Sequence, residues 1–244
     1  MEFLKKSRSE FECISSSVPR GASKGVLTMT RMAHLIFSGF GLVLSFSSIL
    51  QAQQWELGAQ FGLGVSHDPA ITNSSGSAQP SFRTAPALSV VCTENSYQYF
   101  SGEFRYLFRW GGPKLTSDGA HGSMDGFSNV ITYEILIHLT PRESRLRPFF
   151  AGGVGMKAYT GTSPPSVSQS LADVALLRPI TQVEPAVSAG GGLKYRLARD
   201  VQLRIDFRTY MTPLPNDLVR PVGKAVVHGW SFDFVPMVGF SYIF

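Results

Sequence analysis

From residue 55 onward the dominant feature of the chain is an alternation of apolar and polar side chains with a period of two. The stretch 55–65 (WELGAQFGLGV) places apolar or aromatic residues at odd positions and small or polar residues at even positions. Eight segments have this pattern: 55–65, 82–92, 98–110, 129–139, 148–160, 184–198, 201–211 and 230–244. Such alternation gives a β-strand two chemically different faces. No segment has convincing helical spacing, so the sequence predicts an all-β fold of eight strands.

The connections between these segments alternate between long and short. In order they cover 66–81, 93–97, 111–128, 140–147, 161–183, 199–200 and 212–229. Antiparallel neighbours joined in this way place every long loop at one end and every short turn at the other. An even number of strands then puts both termini at the short-turn end. The pattern predicts an up-and-down antiparallel arrangement, as in outer-membrane barrels.

The glycines of the strands indicate which face points inward, because they fall mostly on the polar face: Gly58, Gly62, Gly64, Gly153, Gly155, Gly190 and Gly192. A water-exposed face gains nothing from glycine, which weakens a strand. The interior of an eight-stranded barrel, by contrast, has little room for side chains. We therefore predict a closed transmembrane β-barrel with its bulky apolar face outside. A soluble barrel, with the apolar face inside, is the alternative.

Aromatic residues at the strand ends favour the membrane interpretation. Trp55 lies at the short-turn end, and Trp110 and Trp230 lie at the long-loop end. Amphipathic rings prefer the two interfaces of a bilayer. These three tryptophans are therefore predicted membrane-interface aromatics.

The polar face carries charges of both signs. The acids on it are Glu56, Glu103, Glu134, Glu184, Asp206 and Asp233, and the bases are Arg105, Arg109, Lys157, Lys194, Arg196, Arg204 and Arg208, with His138 beside them. Buried charges are tolerated when they are paired and hydrogen-bonded. We predict a lumen ion-pair network that blocks the bore, and a selective channel or proton path is the alternative.

The N-terminal part has the features of an export signal. Residues 35–50 form an uncharged apolar stretch, which follows Arg31 and His34 and ends near the small residue Ala52. This stretch is short for a transmembrane helix of about 20 residues. We expect 29–52 to be a signal peptide cleaved after Ala52. Residues 1–28 are then an N-terminal extension or a mis-assigned start, and 53–244 form the barrel domain.

Composition excludes several other classes of protein. The net charge is +5, but residues 53–244 carry only 16 Lys and Arg against 14 Asp and Glu, so we expect no nucleic-acid partner. Two cysteines exclude a disulfide scaffold and a Cys-rich metal site. Phosphate-loop, dinucleotide, zinc and calcium motifs are absent from the sequence. We expect no cofactor and no metal.

Two stretches resemble a known family. The chain ends in FSYIF, with Phe240, Tyr242 and Phe244 at alternate positions, and residues 147–155 read RPFFAGGVG. Both resemble eight-stranded bacterial outer-membrane barrels of the outer membrane protein A and X type. The resemblance implies a location in the outer membrane of a Gram-negative bacterium, with both termini periplasmic. It also implies a C-terminal assembly signal read by the barrel assembly machinery, and surroundings of lipid and lipopolysaccharide. It implies no single activity.

One motif raises the possibility of an enzyme. His121-Gly122-Ser123 resembles the H-x-S triplet of outer-membrane lipid A deacylases, and Asp118 and Asp125 are nearby acids. A serine nucleophile needs a base and an orienting acid in fixed geometry. The triplet lies in a Gly-rich segment, so we expect a polar loop and no catalytic residue there.

We therefore predict a structural or surface-interaction protein whose long extracellular loops mediate recognition. A lipid A-modifying barrel enzyme and a narrow channel are the alternatives. Within the last strand, Pro236 lacks a backbone donor, and we expect a bulge at that position.

Overall fold

The computed structural model describes residues 55–73, 76–117, 120–163, 166–167, 175–221 and 229–244. The predicted extension 1–28 and signal peptide 29–52 lie outside these residues. Among the described residues, no helix has the length and apolar character needed to cross a bilayer.

The described residues form fifteen strands, β1–β15 in chain order, and eight of them close into a barrel. The barrel strands are β1 (Trp55–His67), β4 (Ala85–Glu94), β5 (Phe100–Trp110), β8 (Gly126–His138), β9 (Leu146–Gly161), β12 (Thr181–Arg196), β13 (Val201–Pro213) and β15 (Trp230–Ile243). Each pairs antiparallel with its neighbours, and β15 returns to β1. Trp55 and Phe244 exchange backbone hydrogen bonds of 3.2 and 2.9 Å at this closing seam. The predicted eight-stranded antiparallel barrel is confirmed.

The outer face of the barrel is apolar. Exposed fractions reach 54% for Phe61, 57% for Ile135 and 66% for Val154, while their polar neighbours Gln60 and Glu134 are buried. Tightly packed proteins in water do not expose large apolar surfaces of this extent. The predicted inversion, with polar side chains inside and apolar side chains outside, is confirmed.

The inward glycines lie where strands and lumen side chains come close. A Cβ at Gly155 would overlap the backbone of β8 at Ile131, and one at Gly64 would overlap the guanidinium of Arg109. A Cβ at Gly192 would lie 2.7 Å from a carboxylate oxygen of Asp206. The missing side chains thus make room for the charged groups of the lumen.

The expected bulge at Pro236 is wrong. Strand β15 keeps one continuous register with β13, in which Pro236 faces Phe207. On the other side β15 keeps the same register with β1 before and after the proline, but Leu63 and Gly64 are not paired with it. The missing donor interrupts the ladder locally and leaves the strand alignment unchanged.

Short strands at the long-loop end form additional sheets: β2 (Ile71–Asn73), β3 (Gly76–Phe82), β6 (Pro113–Ser117), β7 (Ala120–Ser123), β10 (Ser166–Val167), β11 (Ala175–Leu177) and β14 (Val219–Pro221). One sheet has the order β10-β7-β6-β3-β2, and β11 pairs with β14. Gly111, at a φ of 105°, turns the chain from β5 into β6. We call these short strands and their connections the cap.

The cap has an apolar core of its own, which we call the cap core. Its buried members are Ile71, Ala78, Phe82, Leu115, Met124, Tyr159, Ala175, Leu177, Leu214, Leu218 and Val219. The predicted segment 82–92 is therefore wrong at its first residue, because Phe82 belongs to the cap core and not to a barrel strand. Arg83 and Thr84 separate Phe82 from β4, and its ring stacks on Tyr159 with centroids 4.8 Å apart.

Candidate functional site

The barrel lumen holds a layered set of ion pairs, which we call the lumen network. Its layer nearest the short turns centres on Glu56 of β1. Lys194 Nζ lies 2.5 Å from Glu56 Oε2, and Arg204 Nη1 lies 3.1 Å from Glu56 Oε1. Asn95 Nδ2 donates to the same carboxylate at 3.2 Å. All three charged side chains are at most 1% exposed, so they are paired without help from bulk water.

The middle layer joins two acids through two shared arginines. Arg105 Nη2 lies 2.6 Å from both Glu103 Oε1 and Asp206 Oδ2. Arg204 Nη2 lies 2.8 Å from Glu103 Oε2 and 3.1 Å from Asp206 Oδ2. Because Arg204 also reaches the first layer, one guanidinium links the two. Removing any one member would leave a buried charge of the opposite sign.

A third carboxylate of the middle layer is Glu134 on β8. Arg208 Nε donates to Glu134 Oε2 at 2.9 Å, and Arg105 Nε lies 3.7 Å away. Arg208 also donates to the backbone carbonyls of Gly191 and Phe207. The guanidinium therefore binds the barrel wall and the network together.

The layer nearest the long loops centres on Asp233 of β15. Arg109 Nη1 lies 2.7 Å from Asp233 Oδ1, and Lys157 Nζ contacts the other carboxylate oxygen. Ser66 donates to the same carboxylate and accepts from Arg109. Arg109 Nη2 also donates to the carbonyl of Arg83 at 2.9 Å, which ties this layer to the start of the cap.

Two of the predicted network residues lie outside the ion pairs. Glu184, half-buried, accepts from Gln182 Nε2 at 2.6 Å, and Arg196 donates to the carbonyls of Arg142 and Glu143 in a short turn. Neither has an oppositely charged group within 4.0 Å in the described part of the chain. Their assignment to the lumen ion-pair network is wrong, because each lies at an end of β12.

Uncharged polar residues complete the network, and three of them, Gln60, Thr93 and Ser101, were not among the predicted site residues. Arg105 Nη1 donates to Gln60 Oε1 at 2.8 Å, and Thr93 Oγ1 donates to Glu103 Oε2 at 2.7 Å. His138 Nε2 lies 2.9 Å from Ser101 Oγ. All are inward positions of barrel strands, so the period-two pattern contained the signal that would have found them.

The His121–Ser123 motif lies in the cap, on β7. This strand pairs with β6, where Thr116 is opposite His121 and Lys114 is opposite Ser123. The motif is therefore part of a sheet, and the expected polar loop is wrong at this position. Of the two nearby acids, Asp118 lies outside the described residues, and Asp125 forms an exposed ion pair of 2.6 Å with Arg83. Over the described ranges, no group of three His, Cys, Asp or Glu side chains is placed to hold a metal ion.

The aromatic residues singled out in the sequence lie on the outside of the barrel or at its seam. Trp110 and Trp230, at the long-loop end, are 46% and 50% exposed, and Trp55 is half-buried at the short-turn end. Phe240, Tyr242 and Phe244 all point outward and are more than half exposed.

No protein-family model matches the chain, and no curated protein matches it. Several solved structures are similar. Neisserial surface protein A is 10% identical with a TM-score of 0.49, covering 78% of this chain and 97% of that one. OprG from Pseudomonas aeruginosa is 14% identical (TM-score 0.45; 79% and 96% covered), and a major outer membrane protein from Thermus thermophilus is 11% identical (TM-score 0.47; 80% and 100% covered). Eight strands, closure and an apolar exterior together make the fold that of the eight-stranded outer-membrane β-barrels.

Proposed function

We propose that the protein is a surface protein of a bacterial outer membrane, in which the barrel is a sealed anchor and the cap is the recognition surface. The observation that carries the proposal is the filled lumen. Arg105, Arg204 and Arg208 cross the bore with their side chains fully buried, held by carboxylates from other strands. An eight-stranded barrel is just wide enough for side chains to fill, so this network leaves no continuous aqueous path.

The exterior supports the membrane location. A closed barrel leaves no unpaired strand edge, which the hydrocarbon core requires. Its apolar band ends in tryptophans at both rims, as bilayer interfaces favour. In water the same exposed side chains, such as Phe61 and Val154, would drive aggregation.

The orientation follows from the connections. Outer-membrane barrels have short periplasmic turns and longer extracellular loops. The proposed orientation therefore puts the cap outside the cell and both termini in the periplasm. Residues 29–52 would direct export, and Phe240, Tyr242 and Phe244 would be the signal read by the barrel assembly machinery. Lipid and lipopolysaccharide would surround the barrel.

Planar-bilayer recording tests the sealed anchor. Purified protein refolded into a lipid bilayer should give no steady conductance above the leak of the bare membrane. The conductance of the Glu103→Ala variant is the comparison, because this substitution removes a carboxylate shared by Arg105 and Arg204. Steady, large conductance from the unmodified barrel would overturn the proposal and favour a channel.

A further inference from the structure

A cavity of about 450 Å³ opens between the cap and the rim of the barrel. Its lining includes Ser66, Phe82, Arg83, Lys114, His121 and Ser123. These residues come from the end of β1, from the end of β3 with the two-residue connection to β4, and from the β6–β7 hairpin. Three distant segments of the chain thus build one site, and it includes the His121–Ser123 motif that the anchor role leaves unused.

The polar lining of the cavity is cationic. Arg83, Lys114 and His121 supply basic groups, and among the residues that the structure describes no carboxylate lines the cavity. Lys114 and His121 form no ion pair with any residue that the structure describes. Arg83 is bonded to Asp125, but both side chains of that pair are exposed, at 47% and 72%. Such an exposed pair is weak, so an anionic ligand can compete for the guanidinium.

Hydroxyl groups and an aromatic ring surround these basic groups. Ser81 and Thr84 provide hydroxyl donors, and Gly122 brings backbone close to the cavity. Phe82 forms an apolar wall, held in place by its stacking on Tyr159. The floor of the cavity is held in place by Arg109, which donates hydrogen bonds to both Ser66 Oγ and the carbonyl oxygen of Arg83.

We propose that this cavity binds the phosphate group of a phosphorylated saccharide. A phosphate offers several strong acceptors, which suit an arginine fork, a lysine and hydroxyl donors at once. The volume lies within the range of small-molecule sites and exceeds what phosphate alone needs. The excess beside Phe82 accommodates a sugar ring. The inference rests on the proposed function, since it gives the recognition surface of the cap a ligand class.

The experiment is a titration of the full chain, refolded in phosphatidylcholine nanodiscs, followed by backbone amide NMR. Glucose 1-phosphate should give saturable shifts at Lys114 and Gly122, and glucose should give none. Lys114→Gln should raise the Kd for glucose 1-phosphate by about fivefold or more. His121→Gln should act in the same direction, which keeps the test valid if one variant fails to fold.

Arg220→Gln is the matched control. Arg220 is an exposed base of the cap, on β14, and it does not line the cavity. Its removal should change the Kd by less than about twofold. Shifts with glucose equal to those with glucose 1-phosphate, or equal weakening in Lys114→Gln and Arg220→Gln, would overturn the inference.

A second arm distinguishes a lipid-borne phosphate from a soluble one. Nanodiscs containing bisphosphorylated lipid A should reproduce the shifts at Lys114 and Gly122 if the natural source is the outer leaflet. Dephosphorylated lipid A should not. If glucose 1-phosphate binds and lipid A does not, the ligand of the cavity is a soluble sugar phosphate. Failure of both phosphate probes rejects the cavity as a phosphate site and leaves the sealed barrel, which conductance tests separately.

Discussion

The barrel lumen and the cap core meet at the long-loop end of β9, and their most deeply buried groups differ in chemistry. The lumen network is built from charges that are paired and buried. The cap core is built from apolar side chains. The first arrangement suits a cylinder whose exterior needs apolar residues, and the second suits a small domain surrounded by water.

The change from one chemistry to the other occurs within two residues of β9. Lys157 belongs to the upper layer of the lumen network, and Tyr159 belongs to the cap core. The ammonium of Lys157 lies 4.3 Å from the centroid of the Tyr159 ring and 5.8 Å from that of Phe82. Cation–π attraction therefore joins the two interiors at their boundary. A single strand can therefore contribute to both interiors, because each inward side chain need only match its own surroundings.

The largest expected effect is in the lumen. Glu103→Ala leaves Arg105 and Arg204 without a carboxylate that each contacts within 2.8 Å. The free energy of unfolding should fall by about 3 kcal/mol or more, as measured by urea unfolding in lipid vesicles. Glu184→Ala is the matched control, because among the described residues Glu184 bonds to Gln182 alone. This substitution should cost well under 1 kcal/mol. Equal losses in the two variants would contradict the lumen network.

The next effect concerns the cap. Leu115 is completely buried in the cap core, and Leu115→Ala should destabilise the cap by about 2–4 kcal/mol. Hydrogen exchange should accelerate at the amides of β6 and β7 while those of the barrel strands stay protected. Leu57→Ala, on the lipid-facing side and 51% exposed, should leave exchange in the cap unchanged. Simultaneous loss of protection in cap and barrel would mean that the two are not separate interiors.

An intermediate effect is expected at the boundary. Lys157→Met removes one partner of Asp233, which keeps Arg109 at 2.7 Å. The loss in free energy of unfolding should be about 1–3 kcal/mol, smaller than for Glu103→Ala. Exchange should rise both in β6 and near Asp233, since Lys157 contacts both interiors. A change confined to one side would break the proposed link.

The smallest effect is expected at Asp68, just beyond β1. Burial raises the pKa of Asp68 above its ordinary value. The folded state therefore favours its protonated form, and that contribution to stability is lost as pH rises from about 4 toward the raised pKa. Asp68→Asn should flatten this part of the pH profile and raise stability at pH 7, because the buried asparagine carries no charge. Ser231 donates to the Asp68 carboxylate, and an asparagine oxygen can accept that bond.

The measured quantity is the difference in free energy of unfolding between wild type and variant at each pH, because other carboxylates titrate in the same range. If the difference in free energy of unfolding between wild type and Asp68→Asn is the same at pH 4 and at pH 7, the pKa of Asp68 is not raised. Ser231→Ala provides a second comparison, since it removes the donor and keeps the acid.

Most of the barrel could be predicted from the alternation of apolar and polar side chains. All eight strands, the orientation of their faces and the layering of Glu56, Glu103 and Asp233 by height follow from a period of two combined with strand direction. The errors in assigning side chains to the barrel lie at the ends of its strands. Phe82 shares the parity of the outward residues of β4, but the chain leaves the barrel at Arg83 and Thr84.

The cap was not predictable in the same way. Its strands have two to seven residues, too few for a periodic signal. Its core also depends on contacts between connections far apart in sequence, such as that between Phe82 and Tyr159. Local pattern carries no information on which loops meet above the barrel. The cavity lined by Lys114 and His121 depends on that same assembly.

The most direct test of the inverted barrel is the environment of two neighbouring positions on β8. With Cys13 and Cys92 replaced by serine, a nitroxide would be attached at Ile135→Cys, which is outward, and separately at Thr132→Cys, which is buried in the lumen. In a bilayer the label at 135 should collide readily with dissolved oxygen and hardly at all with a water-soluble nickel reagent, and the label at 132 should be shielded from oxygen. High nickel accessibility at 135, as for a side chain in water, would contradict the outward-facing apolar surface.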